Sequence, residues 1–354
     1  MKEFKRIGVL TSGGDAPGMN AAVRAVVRAA IANGVEVVGI YRGYSGLIDG
    51  DIRKLEIRDV SNTINKGGTV LYSDRCPEML TPEGVAQAVE TCKKFGIDGI
   101  VAIGGDGTFR GATTLTRHGV PCIGIPGTID NDISSTDNTI GYDTASNTAL
   151  DLVDKLRDTC ESHARCNVIE VMGRGAGDIA LVTGLAAGAT AVAIPEFEFD
   201  QEALFAKIKQ SKKLGKRNFI IIVSEGLGKE YAPELAKKIE ERTGIETKFA
   251  RFAHIVRGGT PTLRDRILAT KMGTYAVDKL LKGESNIVIC ERHGKIIAND
   301  IKYALDLDAF YKGKIDESAL TDYDDATIWK MKAECAERRE RLNVLYAVGG
   351  IVSL

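Results

Sequence analysis

The sequence predicts an α/β fold of doubly wound parallel sheets in two lobes, on three observations. Short apolar runs rich in β-branched residues alternate with stretches of helical periodicity. Several runs stop at glycine-rich segments, as strands do where an open sheet meets a ligand. The 354 residues suffice for one large or two ordinary domains.

In chain order the strand-like runs are 7–10, 35–40, 100–103, 122–125, 168–171, 219–223 and 287–290. The run 100–103 is continuous rather than alternating and partly β-branched, which suits a strand buried on both faces. After the first, Asp15 is expected to cap, and Pro17 to open, an alanine-rich helix ending near Asn33 and Gly34. Ala145, Ala149, Leu152, Val153 and Leu156 keep helical spacing over 143–157, and Thr262 with Asp265 resembles a capping box before "RILATKMGTYAVDKLL". From Asp308 the chain turns charged, with "KMKAECAERRERL" expected as a solvated helix. The apolar end "NVLYAVGGIVSL" is too short to cross a bilayer and is expected to pack on the body or at a subunit contact.

Lys and Arg total 47 against 48 Asp and Glu, a net charge of −1, which provides no general field for nucleic acid or an anionic membrane. Seven scattered cysteines without a CxxC pair read as reduced thiols of a cytoplasmic protein. The start, "MKEFKRIGVLTSGGD", has a four-residue apolar run and reads as neither signal peptide nor membrane span.

Four glycine-rich segments follow strand-like runs: "TSGGDAPG" (11–18), "IGGDGT" (103–108), "PGTIDND" (126–132) and "VMGRGAGD" (171–178). All are expected to face one sheet edge, where bare amides converge on an anion and a carboxylate holds its metal counter-ion. In "PGTIDND", Asp130 and Asp132 would point the same way if extended, one a base and the other steadied by a cation; taken alone the segment suits a surface turn slightly better. Phosphoryl transfer needs a backbone cradle, a metal, positive charge and a base. Gly14, Gly105 and Gly107 can supply the cradle, Asp106 the metal ligand, Arg75 and Arg174 the charge, and Asp130 the base.

Together with "AHIVRGGTPTLRDRILATKMG", these motifs resemble the 6-phosphofructokinase family of bacterial type, from residue 7 to about 307. The resemblance implies two Rossmann-like lobes with the active site between them. They are expected at 1–139 plus about 258–305 for ATP and 140–257 for the sugar phosphate, with 306–354 a C-terminal helical extension. It implies ATP-dependent phosphorylation of fructose 6-phosphate to fructose 1,6-bisphosphate, with Mg2+ on Asp106, in an allosteric homotetramer. Gly14, Tyr44, Arg75, Cys76, Gly105, Asp106, Gly107 and Thr108 are implied to border ATP. Asp130, Arg174 and Thr128 are implied as catalytic. Thr128, Ile129, Asp130, Arg165, Met172, Gly173, Arg174, Glu225, Lys248, His254 and Arg257 are implied to meet the sugar phosphate, Arg165 and Lys248 being lent to a neighbouring subunit.

Where pyrophosphate-using members resemble "GGDD" and carry a lysine, this chain has Gly107 and Gly127, which favours ATP over the pyrophosphate alternative. Lys248 departs from the usual arginine and predicts weaker sugar-phosphate binding. Arg24, Arg28, Arg157 and Lys216 match an effector site. Ile57, Thr190 and Leu214 depart from it and predict feeble or altered effector control.

Overall fold

The computed structural model describes residues 4–353. They open with β1 (Arg6–Thr11), α1 (Met19–Ala32), β2 (Glu36–Ile40), α2 (Gly43–Asp49), β3 (Ile52–Leu55), α3 (Pro82–Lys94), β4 (Gly99–Gly104), α4 (Asp106–Arg117) and β5 (Cys122–Pro126). Next come α5 (Tyr142–His163), β6 (Cys166–Val171), α6 (Asp178–Ala186), β7 (Ala191–Ala193), α7 (Gln201–Lys213), β8 (Phe219–Ser224), α8 (Tyr231–Thr243) and β9 (Thr247–Phe252). The last are α9 (Leu263–Leu281), β10 (Ile287–Arg292), β11 (Lys295–Asp300), α10 (Ile301–Tyr311) and α11 (Asp325–Val352). They fall into two units. The first takes residues up to 129, 133–144 and 257–331; the second takes 130–132, 145–256 and the residues from 332.

In the first unit the sheet order is β11-β10-β5-β4-β1-β2-β3, parallel from β10 through β2 and antiparallel at both edges. Strand order reverses between β1 and β4. Helices α1 and α9 approach closely because the contact is made of small residues: a Cβ on Gly273 would lie 2.7 Å from Ala25 Cβ and 2.9 Å from the Ala22 carbonyl. The second unit carries β7-β8-β6-β9, all parallel. Its core includes Val168, Phe219, Ile221 and Leu235.

Every strand-like run of the sequence became a strand. The strands β3, β7, β9 and β11, which none of those runs anticipates, are edge strands, short or half-exposed. Three other expectations need correction. Asp15 does not cap α1: the N-cap is Gly18, at φ 109, where a Cβ would stand 2.7 Å from Ile140 Cγ2. The four glycine loops do not share one sheet edge, since β1, β4 and β5 belong to the first sheet and β6 to the second.

The charged stretch of α11 is not solvated all round, because Cys335, Arg338 and Leu342 bury one stripe. Its apolar end packs on the body of the second unit: Tyr346 stacks on Phe197 with ring centroids 4.4 Å apart, and the Ser353 hydroxyl accepts from Lys207 at 2.5 Å. Among the described residues no helix is long and apolar enough to cross a membrane. Among the described residues no disulfide joins any of the seven cysteines, and burial pushes the Cys92 thiol up to about 12.

Candidate active site

The carboxyl ends of β1, β4 and β5 flank the reversal in strand order, where doubly wound sheets leave room for ligands. Two of the loops are laced together: the Ser12 amide donates to the Ile103 carbonyl at 3.0 Å, and the Thr108 hydroxyl donates to the Ser12 carbonyl at 3.1 Å. Gly13, at φ 88, accepts the Ser73 hydroxyl at 2.6 Å and donates to the Asp74 carbonyl at 3.4 Å. These bonds bring Gly14 to the segment carrying exposed Arg75 and half-buried Cys76, whose thiol is raised mainly by burial.

The glycines of "GGDGT" are of two kinds. A Cβ on Gly104 would lie 2.2 Å from Thr108 Oγ1 and 2.4 Å from the Ser12 carbonyl. On Gly105 or Gly107 it would meet nothing within 4 Å. Packing inside the protein therefore demands glycine at 104 but not at 105 or 107. Asp106 begins α4, and no side chain caps the helix at Gly105, so its partial positive end favours an anion there. No group of three or more His, Cys, Asp or Glu among the described residues could hold a metal by itself. One half-buried carboxylate beside open space suits Mg2+, which keeps waters and draws its other ligands from phosphate oxygens.

The remaining residues of this unit have mixed positions. Tyr44 is buried and its hydroxyl donates to the Thr108 carbonyl at 2.6 Å, steadying the loop from behind; burial raises the phenol well above its usual range. Thr128 is pinned by its amide to the Ile140 carbonyl at 3.1 Å and by the Thr139 hydroxyl on its carbonyl at 2.6 Å. The Ile129 side chain is fully buried, so it can offer a ligand only backbone. Arg257 donates to the Asp15 carbonyl at 3.2 Å and lies against Gly14, its Nη1 2.7 Å from where a Cβ would stand.

In the second unit, the carboxyl ends of β6, β8 and β9 carry Met172 to Arg174, Glu225 and His254 on one sheet edge. Gly173 (φ 152) and Arg174 (φ 57) occupy left-handed backbone, and Glu225 Oε1 accepts both their amides, at 3.1 and 2.7 Å. The loop is thereby fixed while the Arg174 side chain stays 73% exposed, its Nη1 3.8 Å from Asp132. Asp130 and Asp132 are both buried. They do not form an extended pair, because Asn131 between them sits at φ 51 and turns the chain. His254 is exposed in the short turn His254–Arg257.

Arg165 and Lys248 lie at the amino ends of β6 and β9, about 20 Å of strand from that edge. Both bind Glu246, at 2.7 and 2.8 Å, and the Arg165 bond first, then the Lys248 bond, holds its carboxyl down to about 2. The chain thus joins these two cations to each other but not to its own Arg174 loop. Of the effector-like residues, Lys216 is depressed by burial and by Arg157, and Arg24 by burial and by Arg28.

Sequence reasoning missed one cluster. Asp178, at the start of α6, accepts from the Asn131 side-chain amide at 3.1 Å, and its other oxygen accepts from Arg338 Nη2 at 3.1 Å. The same Nη2 reaches the Asn131 carbonyl at 2.6 Å. Removing one partner of such a buried ion pair typically costs about 3–5 kcal/mol. Asp178 lay inside a quoted motif, but Arg338 had no signal beyond a charged run.

Residues 6–280 match the family model described as Phosphofructokinase. The chain is 53% identical to the ATP-dependent 6-phosphofructokinase of Halalkalibacterium halodurans over 313 residues, 87% of this chain and 98% of that one. It is 55% identical to the enzyme of the same name from Bacillus subtilis over 298 residues, 84% and 93% of the two chains. The structure superposes on phosphofructokinase from Saccharomyces cerevisiae with TM-score 0.83 and 34% identity, over 93% of this chain and 49% of that one. The chain thus spans about half the length of the yeast subunit. A pyrophosphate-dependent phosphofructokinase from Marinobacter aquaeolei, at 23% identity and TM-score 0.73 over 84% of this chain and 83% of that one, shares the fold.

Proposed function

The chain belongs to the phosphofructokinase family of phosphotransferases, and we propose that it is an ATP-dependent 6-phosphofructokinase, converting fructose 6-phosphate to fructose 1,6-bisphosphate in glycolysis. The observation that carries this reading is the open space before Gly105 and Gly107 at the end of β4, beside the one carboxylate of that loop. There the amides and the amino end of α4 receive the phosphates, and Asp106 would hold the Mg2+ that neutralises their charge. Arg75 and Cys76 border the nucleotide, and Tyr44 steadies the loop that holds it.

Asp130 takes the proton from the attacking sugar hydroxyl, Thr128 and the Ile129 backbone orient the acceptor, and Arg174 meets the charge on the group in transit. Met172, Gly173, Glu225, His254 and Arg257 complete the sugar-phosphate site, Glu225 by setting the loop. Arg165 and Lys248, at the far edge of the second sheet, are read as lent to a neighbour's site in a cytoplasmic homotetramer. The donor is assigned to ATP because Gly107 leaves room for the α-phosphate. A lysine at 127 would also crowd: a Cβ there stands 3.0 Å from Ile103 Cγ2 and 3.2 Å from Met19 Cε.

The test is a coupled assay with fructose 6-phosphate and Mg2+, comparing ATP with pyrophosphate in wild type and in Asp130→Ser. ATP should be the better donor, and the variant should lose about 10²- to 10⁴-fold in kcat. Equal turnover with pyrophosphate, or an unimpaired Asp130→Ser, would overturn the assignment.

A further inference from the structure

Helix α11 lies outside the residues matched by the family model, which end at 280, yet it delivers a buried guanidinium to the turn that carries Asp130 and Asp132. The geometry points to Arg338 as a positioning residue for Asp130, acting through Asn131; this rests on the reading of Asp130 as the base. Asn131 holds a left-handed backbone, which asparagine visits more readily than most non-glycine residues, so that keeping one geometry in this buried turn needs enforcement from its surroundings. Here the enforcement comes from both sides of the residue. Arg338 grips its carbonyl, Asp178 grips its side-chain amide, and Arg338 and Asp178 bind each other, closing a triangle.

Both bonds leave one nitrogen, Nη2, whose two N–H bonds are fixed in the guanidinium plane, so that the two acceptors are held at set angles. Because Asp178 opens α6 immediately after the glycine loop of Arg174, the triangle also sets that loop relative to the turn. Anchoring α11 is a poor explanation for a buried charge at this place. Cys335 and Leu342 already bury its stripe, Tyr346 stacks on Phe197, and a buried ion pair is seldom better for stability than apolar contacts.

The test compares Arg338→Lys with Leu342→Ala in the full chain, measuring kcat, both KM values and Tm. Lysine keeps a cation for Asp178, but its freely rotating ammonium on a flexible stem does not fix the directions of the two bonds that the planar Nη2 group sets. A slack turn should lower kcat roughly 10- to 100-fold, since a displacement near 1 Å can cost 10²-fold. KM for ATP and fructose 6-phosphate should stay within about twofold, the pattern of an interaction made only in the transition state. Leu342→Ala loosens the same helix without touching the turn, and should lower Tm while sparing kcat. An unchanged kcat in folded Arg338→Lys, or an equal kcat loss in Leu342→Ala, would overturn the proposal. Wild-type protein that fails to phosphorylate fructose 6-phosphate would instead overturn the functional reading beneath it.

Discussion

The loop after β4 and the loop after β6 are built alike, glycines around one charged residue, but their glycines answer to different neighbours. At 105 and 107 a Cβ would meet nothing within 4 Å. In the second loop, a Cβ on Gly173 would stand 2.6 Å from the Ala176 carbonyl, and one on Gly177 2.4 Å from Ile194 Cβ. Glu225 ties down two amides of that loop, while Glu196 accepts a third, from Gly177, at 2.8 Å. The first loop packs Gly104 and leaves two glycines facing open space; the second packs Gly173 and Gly177 against its own fold, leaves only Gly175 open, and presents a side chain, Arg174. Composition alone does not distinguish a cradle from a bracket. The neighbours do.

Three experiments bear on this contrast, beginning with the largest effect. Gly107→Asp should cut kcat/KM for ATP by about 10³-fold, because unit charges some 4 Å apart repel by about 4 kcal/mol at an effective dielectric of 20. Its Tm should hold or rise, since an acid in the first turn of α4 suits the helix. A matched fall in Tm and activity would show that the first loop, too, is bound by internal packing.

The next effect concerns stability. Gly177→Ala should lose about 1–3 kcal/mol through overpacking against Ile194, read as a lower Tm or denaturation midpoint. Gly105→Ala, placed in open space at φ −104 but at the N-cap of α4, where alanine is poorer than glycine, should lose less, under about 1 kcal/mol. Equal losses at the two sites would erase the distinction.

The smallest effect lies at the other edge of the second sheet. The Glu246 carboxyl is held near 2 against an ordinary 4.5, so its pairing with Arg165 and Lys248 is fully present above 4.5 and lost as pH falls toward 2. Wild-type Tm should therefore fall more steeply than that of Glu246→Gln across this window, with no difference at neutral pH in the slope of Tm against pH. A parallel acid response would show that the pair adds nothing.

What could be read from the residues depended on whether the cause was local. The runs that became β1, β4, β5 and β8 are buried on both faces and no charged residue interrupts them; β6 is as buried yet admits Glu170, paired with Arg251, and β9, with Lys248, Phe249 and Arg251 exposed, carries no such mark. Thr262 does cap α9, accepting the Asp265 amide at 3.3 Å. The Asp265 carboxylate nevertheless turns to the Gly141 and Thr144 amides, at 2.9 and 2.8 Å, more than a hundred residues away. Gly18 is shaped by Ile140 and Asn131 by Arg338, and neither dependence leaves a trace in the neighbouring letters. The motif residues were legible because each motif is a short contiguous segment. The groups that hold those loops in place come from distant parts of the chain.

The division of the chain has a consequence for how the molecule is made. Each unit gathers stretches from early and late in the sequence, 130–132 with the residues from 332 in one, and those up to 129 with 257–331 in the other. A ribosome therefore cannot release one finished half before starting the next. A message cut short before codon 332 would leave the second unit lacking the segment that seats Asn131, so a prematurely terminated product should emerge inert rather than half-active.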